Sequence, residues 1–450
     1  MPLYLQPGVR LFFGPAGPSL AREGVPVLHV LGVGEAVALA CLAATGSQEE
    51  AERVCAACLP EGNRWVARVV DRYWTYLGDG VPRPLDLDWV RRLARSRPLF
   101  PILPQSSIKR EAAPAAITWM VTLGCNRHCP YCFFEVFPHG SDAGTPSDAT
   151  FPLEAACRMV REMAEVGAAD LYLTGGEPLL RKDLTEIIAE AARVRVRTHL
   201  VTKYAIARGL ASRLAAAGLS RITYSLDDAR PSYAARLAGA PGYLAEAEEA
   251  LRALLEAGLA PEVNAVVTAW NVDGLDGLAE HLVELGVPQL KLSRFSVPFP
   301  ARPVAARLAA DTAVPKLAER LRNRWGHRLA IVVDLASATD GAEGVRCGQY
   351  SVCEVGVRAL DVLPDGSVTR CRYLPGRRDL IAGSLLTSTL LEIWNGAALA
   401  RLTRPPREAY RDQPCQQCDA FEGCHSRGRC YVSSLMASGT LYAPDRFCTR

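Results

Sequence analysis

The last 104 residues of the chain contain eight cysteines, and this density limits what the segment can fold into. The cysteines form two sets, Cys347-x5-Cys353-x17-Cys371 and Cys415-x2-Cys418-x5-Cys424-x5-Cys430-x17-Cys448. Predicted helices and strands are short here, as is expected where bound metals replace a hydrophobic core. The segment is therefore predicted to fold around metal centres.

Three further cysteines stand far upstream in one loop, Cys125-x3-Cys129-x2-Cys132. Four thiolates normally hold a [4Fe–4S] cluster, so three leave one iron open to a substrate or cofactor. The alternative is a structural zinc site completed by His128 or His139, although this spacing is unusual for zinc. Clustered cysteines in a chain without an export signal favour metal binding over disulfides.

Composition limits the partners and the location of the protein. The 450 residues suggest about three domains, and a net charge of +3 without a long basic run argues against a nucleic-acid partner. The apolar run Ala36–Thr45 is too short for a membrane span of about 20 residues. Residues Met1–Arg22 do not have the layout of a signal peptide. We expect a cytoplasmic protein with no membrane partner.

Strand-like and helix-like segments alternate from Ile117 to about Phe299. The predicted strands are Ala116–Val121, Asp170–Leu173, Thr198–Val201, Arg221–Leu226, Glu262–Thr268 and Gln289–Arg294. The predicted helices are Leu153–Val166, Leu184–Val194, Ala205–Ala217, Tyr243–Ala257 and Val272–Leu285. This pattern predicts an α/β fold with a parallel sheet, either an open barrel or a doubly wound sheet. Active-site groups follow the strands in such folds, so one rim should collect Cys125, Gly175–Glu177, Thr202 and Ser225–Asp227.

The segment GCNRHCPYCFFE, Gly124–Glu135, resembles the radical S-adenosylmethionine (SAM) superfamily. The resemblance implies a partial (β/α)6 barrel over residues 115–310. It also implies that Cys125, Cys129 and Cys132 hold a reducing [4Fe–4S] cluster, with Tyr131 packed near the cofactor. The open iron would bind SAM, and an electron from the cluster would break the sulfonium bond. The resulting 5′-deoxyadenosyl radical would abstract hydrogen from the substrate.

Other strand ends resemble the SAM contacts of this superfamily. Gly175 and Gly176 would let the backbone approach a ligand, and Glu177 would bind the SAM ammonium group. An ordinary turn is the alternative for this segment. Lys203 departs from the family pattern, since Thr202-Lys203-Tyr204 stands where relatives usually have Thr-Asn-Gly. The resemblance implies further contacts from Ser225, Asp227, Asn264 and Arg294. For the last two, satisfying backbone groups is the alternative.

The cysteine-rich tail, residues 347–450, resembles the SPASM domain of peptide-modifying radical SAM enzymes. Asp365-Gly366, the segment Ile381–Trp394 and Pro444-Asp445 also match. The resemblance assigns Cys347, Cys353, Cys371 and Cys430 to one auxiliary [4Fe–4S] cluster, and Cys415, Cys418, Cys424 and Cys448 to another. Together with the upstream loop this predicts three clusters. Zinc knuckles are the alternative, and the wide spacing before Cys430 is a departure from the family.

Residues 1–100 are predicted to form a separate α+β domain. Strand-like runs at Val9–Phe13 and Val25–Leu31 precede three helical patterns, Glu35–Ala44, Gln48–Leu59 and Arg64–Leu77. Leu5–Leu11 and the order of these elements resemble the winged-helix-like RiPP recognition element, which binds the leader of a ribosomally made precursor peptide as an added strand. The alternative is a stabilising cap. Residues 311–346 are predicted to be a connector.

These features predict a radical SAM enzyme that forms a thioether or carbon–carbon cross-link in a precursor peptide. Flavodoxin or ferredoxin would supply its electrons. One alternative is a sulfatase-maturating enzyme that oxidises Cys or Ser to formylglycine. Such relatives typically have Asp after the third tail cysteine, where this chain has Arg372. Another alternative is a metal-binding adaptor or electron carrier without turnover. No side chain is predicted as a catalytic acid or base.

Overall fold

The computed structural model describes residues 2–14, 17–83, 110–132, 151–294, 314–333, 353–422, 430–444 and 448. The predictions for His139, Cys347 and Cys424, and the part of the connector outside residues 314–333, lie outside the described residues. Within the described ranges, no helix is both long and apolar enough to cross a membrane.

In its described residues, the N-terminal part contains two small antiparallel sheets and three helices. Its strands are β1 Tyr4–Leu5, β2 Val9–Gly14, β3 Gly17–Arg22, β4 Leu28–Val30 and β5 Leu77–Gly78. Its helices are α1 Val33–Thr45, α2 Gln48–Ala56 and α3 Gly62–Arg72. Strands β2, β3 and β4 pair in that order, and β1 pairs with β5. The three predicted helices are present, although the third ends at Arg72 and its predicted last residue, Leu77, lies in β5. Strands β1, β3 and β5 were not predicted.

Helix packing in this part follows from its sequence. Helix α1 buries an almost wholly apolar sequence against α2 and α3. Helix α2 begins at a cap in which Ser47 Oγ accepts a hydrogen bond from the Glu50 amide, 3.5 Å away. The Cys41 and Cys55 thiols are fully buried and hydrogen-bonded to each other. These two cysteines therefore belong to the core of the domain.

The central sheet has ten strands in the part of the chain that the structure describes. They are β6 Ala116–Thr122, β7 Asp170–Gly175, β8 Arg197–Thr202, β9 Arg221–Ser225, β10 Glu262–Val267, β11 Gln289–Arg294, β12 Ala330–Val333, β13 Ala359–Val362, β14 Ser367–Thr369 and β15 Ile381–Ser384. Their order is β12-β11-β10-β9-β8-β7-β6-β13-β14-β15, and all pairs from β12 to β13 are parallel.

This strand order decides between the two predicted sheet architectures. From β6 to β12 the strands lie side by side in chain order, without the reversal that defines a doubly wound sheet. The six predicted strands, β6 to β11, therefore form an open barrel. The sheet is also longer than predicted, because β12 extends one edge and β13 pairs with β6 at the other. The cysteine-rich tail thus continues the barrel sheet.

Within the described ranges, seven helices accompany the barrel strands. They are α4 Leu153–Val166, α5 Leu184–Arg193, α6 Arg208–Ala216, α7 Pro231–Ala238, α8 Tyr243–Glu256, α9 Leu275–Leu285 and α10 Val314–Trp325. Together with the sheet they bury one large apolar core that includes Trp119, Leu173 and Leu200. Helix α7 was not predicted, although Pro231 at its first turn and Gly239 after its end are start and stop signals.

The tail has a small core of its own. Its helices are α11 Leu390–Asn395, α12 Ala397–Thr403 and α13 Tyr431–Ser438. Helix α11 begins at a capping box between Thr389 and Glu392. An apolar cluster that includes Leu402 packs against Cys371 and Cys430. The predicted metal ligands therefore lie beside a compact apolar cluster, which the cysteine density alone did not predict.

Four side chains of the N-terminal part bind the carboxyl end of α4. Arg22 and Arg72 donate to carbonyls at distances of 3.1 and 3.0 Å, Tyr76 donates at 3.3 Å, and His29 lies at 3.2 Å; the acceptors are within residues 164–167. The last carbonyls of a helix have no partner within the helix and carry a partial negative charge, so cations there are stabilising. These contacts attach the N-terminal part to the barrel.

Candidate active site

The three-cysteine loop starts where β6 ends, at the carboxyl rim of the barrel. Cys125 is exposed, and its sulfur accepts a hydrogen bond from the Arg127 amide at 3.4 Å. Cys129 is buried, and its thiol lies 3.6 Å from the Ala238 carbonyl oxygen. The Cys132 amide donates to the Cys129 carbonyl at 3.0 Å. The loop thus presents one thiol to solvent and holds another against α7.

The donor set of this loop fits an iron–sulfur cluster. Among the described residues, no three Cys, His, Asp or Glu side chains converge on one metal-ion position. A [4Fe–4S] cluster does not need such convergence, because each of its irons takes its own thiolate. The three thiols are close enough to influence one another electrostatically, and burial raises the pKa of Cys129 to about 11. A bound metal would therefore be required to keep this thiolate ionised.

The carboxyl end of helix α7 contacts the cysteine loop. The His128 amide donates to the Ala238 carbonyl at 3.3 Å. Gly239 ends the helix with a φ of +63°, and a Cβ at this position would lie 2.2 Å from the His128 carbonyl oxygen. The loop and the helix end are thus in direct backbone contact. A helix that sequence reasoning missed therefore holds the central residues of the cysteine loop in place.

The two glycines after β7 pack against the start of the cysteine loop. Gly175 has a φ of +127°, and a Cβ on Gly176 would lie 2.1 Å from the Gly124 carbonyl oxygen. The Gly176 amide donates to Thr122 and the Glu177 amide donates to Gly124, both at 2.8 Å. We expected these glycines to admit a ligand. In the structure, the lack of a side chain at both positions has a different physical reason, because the backbone that these glycines approach is that of the protein itself.

Glu177 is buried and already accepts three hydrogen bonds. Its Oε1 accepts from the Leu179 amide at 3.0 Å and from Thr202 Oγ1 at 2.8 Å, and its Oε2 accepts from the Lys203 amide at 3.1 Å. Burial raises the pKa of Glu177, and these donors oppose the rise. Because a carboxylate offers about four lone-pair positions, Oε2 can accept one more donor. The side chain is therefore fixed in orientation with one oxygen able to bind a cation.

Lys203, Asp227 and Tyr131 form a buried group inside the barrel that sequence reasoning missed. The Lys203 ammonium lies 2.6 Å from both Asp227 Oδ2 and the Tyr131 hydroxyl, and the Tyr131 hydroxyl donates to the same carboxylate oxygen. Asp227 Oδ1 accepts from the Val266 amide at 2.8 Å. Burial followed by the charge of Asp227 raises the pKa of Tyr131. The unusual Lys203 thus neutralises a carboxylate at the predicted cofactor position.

The other predicted SAM contacts lie on neighbouring strands of the same rim. The Ser225 carbonyl accepts from the Tyr243 hydroxyl, and Asn264 Oδ1 accepts from Ser293 Oγ at 2.6 Å. Arg294 ends β11, and its backbone pairs with Val267. The sheet therefore brings the predicted contacts to one edge. The bond of Asn264 is to a side chain, so it does not match the alternative of satisfying backbone groups.

Three predicted ligands of the first auxiliary cluster lie together in the tail. Cys371 follows β14, and its pKa is raised to about 12 by burial and then by the charge of Cys353, with a smaller effect from Cys430. Cys371 and Cys430, the cysteine at the wide spacing, both pack against the apolar cluster of the tail. The Cys353 and Cys430 thiols lie close enough to Cys371 to affect its pKa. The grouping of three thiols from distant segments fits the predicted donor set.

Two predicted ligands of the second auxiliary cluster share a short turn. The Cys418 amide donates to the Cys415 carbonyl at 3.3 Å. Cys418 Sγ lies 3.9 Å from Asp419 Oδ1. Cys448 is partly exposed near the chain end. The Cys-x2-Cys spacing therefore forms a tight turn in which the Cys418 sulfur lies near a carboxylate.

Arg372 stands where sulfatase-maturating relatives typically have a proton-accepting Asp. Its guanidinium donates to Asp361 Oδ1 at 3.0 Å, and its amide donates to Asp361 Oδ2 at 3.2 Å. Leu360 and Val362, on either side of Asp361, point into the large core, so Asp361 points to the opposite, inner face of the sheet. The only carboxylate bonded to Arg372 among the described residues is therefore neutralised by it, which disfavours the sulfatase-maturase alternative.

Comparisons with known proteins agree with this arrangement. Residues 119–284 match the profile of the Radical SAM superfamily, and residues 353–419 match that of the SPASM iron-sulfur cluster-binding domain. PqqA peptide cyclase from Streptomyces rochei is 27% identical over 344 residues, which cover 75% of this chain and 89% of the relative. AdoMet-dependent heme synthase from Methanosarcina barkeri is 24% identical over 361 residues, which cover 75% of this chain and 96% of the relative.

A solved structure resembles the whole chain. SuiB from Streptococcus suis, determined bound to precursor peptide SuiA, is 16% identical, covers 100% of both chains and has a TM-score of 0.62. This match extends the fold likeness to the N-terminal α+β part. The adaptor alternative is thereby set aside, and the chain is a radical SAM enzyme that carries a SPASM iron–sulfur domain.

Proposed function

We propose that this enzyme modifies a ribosomally made precursor peptide, whose leader binds the N-terminal domain. Two kinds of relative support a peptide substrate: PqqA peptide cyclase by its name, and SuiB by its complex with SuiA. In this proposal residues 1–100 bind the leader, residues 115–310 generate the radical, residues 311–346 connect, and residues 347–450 hold the auxiliary clusters. The proposed location is cytoplasmic, where thiols stay reduced.

The edge strand β4 carries the proposal for leader binding. Leu28 and Val30 are 52% and 55% exposed, while His29 between them is buried and contacts α4. Among the described residues β4 pairs only with β3, so its outer edge can accept an added strand. Two apolar side chains beside such an edge suit the alternating side chains of an extended peptide. A leader bound there would lie next to the junction with the catalytic domain.

The reaction follows from the groups at the carboxyl rim. Cys125, Cys129 and Cys132 would hold the reducing cluster. When SAM is bound, this cluster would supply the electron that releases a 5′-deoxyadenosyl radical. Glu177 Oε2 would accept a hydrogen bond from the SAM ammonium group. Tyr131 and the rim residues Gly175, Gly176, Ser225, Asp227, Asn264 and Arg294 complete the proposed SAM site. Hydrogen abstraction from the peptide would lead to a thioether or carbon–carbon cross-link.

The auxiliary clusters complete the proposed redox chain. One would be held by Cys347, Cys353, Cys371 and Cys430, and the other by Cys415, Cys418, Cys424 and Cys448. Full ligation by cysteine leaves neither with an open iron, so their proposed role is electron transfer. Flavodoxin or ferredoxin is the proposed donor to the reducing cluster.

Anaerobic reconstitution tests the cofactor part of the proposal. Three clusters predict about twelve irons per chain. Reduction in the presence of SAM should release 5′-deoxyadenosine, and replacing Cys125, Cys129 and Cys132 with alanine should remove about four irons and all of this release. A colourless zinc protein would contradict the proposal.

A binding experiment tests the peptide part separately. The ligands are synthetic peptides for any short open reading frame next to this gene, each labelled with a fluorophore and titrated with the iron-loaded enzyme. Val30→Glu places a charge on the β4 surface and should weaken binding roughly tenfold or more, because an apolar contact is lost. Leu386→Glu, at a residue 49% exposed in the tail, is the matched control and should bind as the wild type does. Equal weakening in both variants would contradict leader binding at β4.

A further inference from the structure

Arg370 is a buried cation at the first auxiliary site. It lies between β14 and Cys371, and only 1% of its surface is exposed. Its Nη1 donates a hydrogen bond to the sulfur of Cys353, and its guanidinium carbon lies 5.4 Å from the centre of the Tyr431 ring. A fully buried guanidinium is therefore directed at a proposed cluster ligand.

Burying a charge of this kind is costly unless an opposite charge accompanies it. The next arginine in the chain, Arg372, has such a partner in the carboxylate of Asp361, with which it forms two hydrogen bonds. Arg370 instead donates to the sulfur of Cys353 and directly precedes Cys371 in the chain. The Arg370 guanidinium is thus directed at a proposed sulfur ligand, whereas that of Arg372 is directed at a carboxylate.

We propose that Arg370 raises the reduction potential of the first auxiliary cluster and so makes it the acceptor of the electron released when the product bond forms. This inference rests on the proposed function, in that Cys353, Cys371 and Cys430 must hold a cluster. Reduction adds a negative charge to the cluster, and a fixed positive charge in a low-dielectric site stabilises that state. A hydrogen bond to a ligand sulfur acts in the same direction.

The second auxiliary site has the opposite electrostatic surroundings. Asp419 Oδ1 lies 3.9 Å from Cys418 Sγ, and its negative charge disfavours an added electron. Arg407 donates to the Cys418 carbonyl at 2.9 Å, but it also lies 3.6 Å from the Glu422 carboxylate. Within the described part of this site, the cation bonded to the Cys415–Cys418 turn is therefore paired with a carboxylate and directed at a carbonyl. This contrast predicts that the first site has the higher potential of the two.

The electron balance of a cross-linking reaction requires an acceptor of this kind. One substrate hydrogen atom leaves with the 5′-deoxyadenosyl group, and bond formation to a second substrate position releases a proton and one electron. The proton leaves to solvent, and the electron passes to the cluster beside Arg370. Arg370 takes no part in these bonds, so it is a positioning residue that acts through the potential of the cluster.

The test is a potentiometric titration of the reconstituted full-length enzyme followed by electron paramagnetic resonance. Arg370→Gln removes the charge and retains a hydrogen-bond donor. At a fixed solution potential, the oxidised-to-reduced ratio of one cluster should rise about tenfold or more, and a tenfold change corresponds to 59 mV for one electron. A Cys353→Ser variant identifies which signal belongs to the first auxiliary cluster, and the other signals should not move.

Arg377→Gln is the matched control, because Arg377 lies in the same domain but is 43% exposed and paired with Asp379 at 2.7 Å. An unchanged potential in an Arg370→Gln enzyme with full iron would overturn the inference, as would an equal shift in the control. If Arg370→Gln loses iron, Arg370→Lys must retain both the iron and a potential close to that of the wild type. Failure of that variant also overturns the inference. Absence of iron in the wild type would instead refute the proposed function.

Discussion

Replacing Gly176 with alanine should destabilise the protein before any cofactor binds. The added Cβ would lie 2.1 Å from the Gly124 carbonyl oxygen and 2.6 Å from its carbon, both of which are backbone atoms. Separating them also strains the two 2.8 Å hydrogen bonds that join this segment to the cysteine loop. Overpacking costs about 1–3 kcal/mol, and each lost hydrogen bond costs about 1 kcal/mol. We therefore expect a loss of about 3 kcal/mol, or a melting temperature about 6–12 °C lower.

The assay is thermal unfolding of the iron-free protein without SAM, followed by circular dichroism. Gly277→Ala is the control, because Gly277 lies in α9 with no atom within 4 Å of its added Cβ. That substitution should raise stability by about 0.5–1 kcal/mol. If the iron-free Gly176→Ala protein melted like the wild type and only SAM binding were weakened, the glycine would serve the ligand, and the packing argument would be wrong.

Three further perturbations test other parts of the structure. Lys203→Met should destabilise the protein by about 3–5 kcal/mol because it leaves the Asp227 carboxylate buried without its cation, and urea unfolding should show partial recovery in the double variant with Asp227→Asn. Burial lowers the pKa of His29 to about 3. Between pH 6.5, the ordinary pKa of histidine, and pH 3, the His29 imidazole is protonated in the unfolded chain but not in the folded protein. The contribution of His29 to the free energy of unfolding is therefore complete above pH 6.5 and falls as the pH drops toward 3. At pH 5 the loss should be about 2 kcal/mol; His29→Gln should remove it in pH-dependent melting, whereas the exposed His327→Gln should not. Cys430→Ala should lose iron in a colorimetric assay, and unchanged iron would contradict its assignment as a ligand.

The sequence predicted the parts of the fold that depend on local patterns. The helix Leu153–Val166 and the strand Gln289–Arg294 have the predicted bounds, because apolar periodicity and end signals lie within each segment. The convergence of strand ends also followed, since parallel strands with helical crossovers leave their carboxyl ends at one edge. In the candidate site, this reasoning correctly placed the cysteine loop near Glu177 and Asp227.

Features that depend on contacts between distant segments could not be predicted. The pairing of β13 with β6 joins residues more than 200 positions apart, and no local pattern specifies it. Lys203 attracted notice only as a departure from the family, whereas its role depends on Asp227 and Tyr131. Arg370 likewise looked like an ordinary arginine, because its burial is decided by the fold of the whole tail.

The continuous sheet determines how the two proposed cluster sites are positioned relative to each other. The radical-generating loop begins at the end of β6, and Cys371 follows the hairpin that β13 forms with β14. The backbone hydrogen bonds between the paired strands therefore set the distance between the two proposed cluster sites. A shift of the strand pairing by one residue would change the distance between these sites along the strands by about 3.3 Å. It would also turn the side chains of the shifted strand to the opposite face of the sheet. Among the described residues, the N-terminal part contacts α4 through side chains instead. Under the proposed function, the position of the bound peptide can therefore vary while the distance between the proposed clusters stays constant.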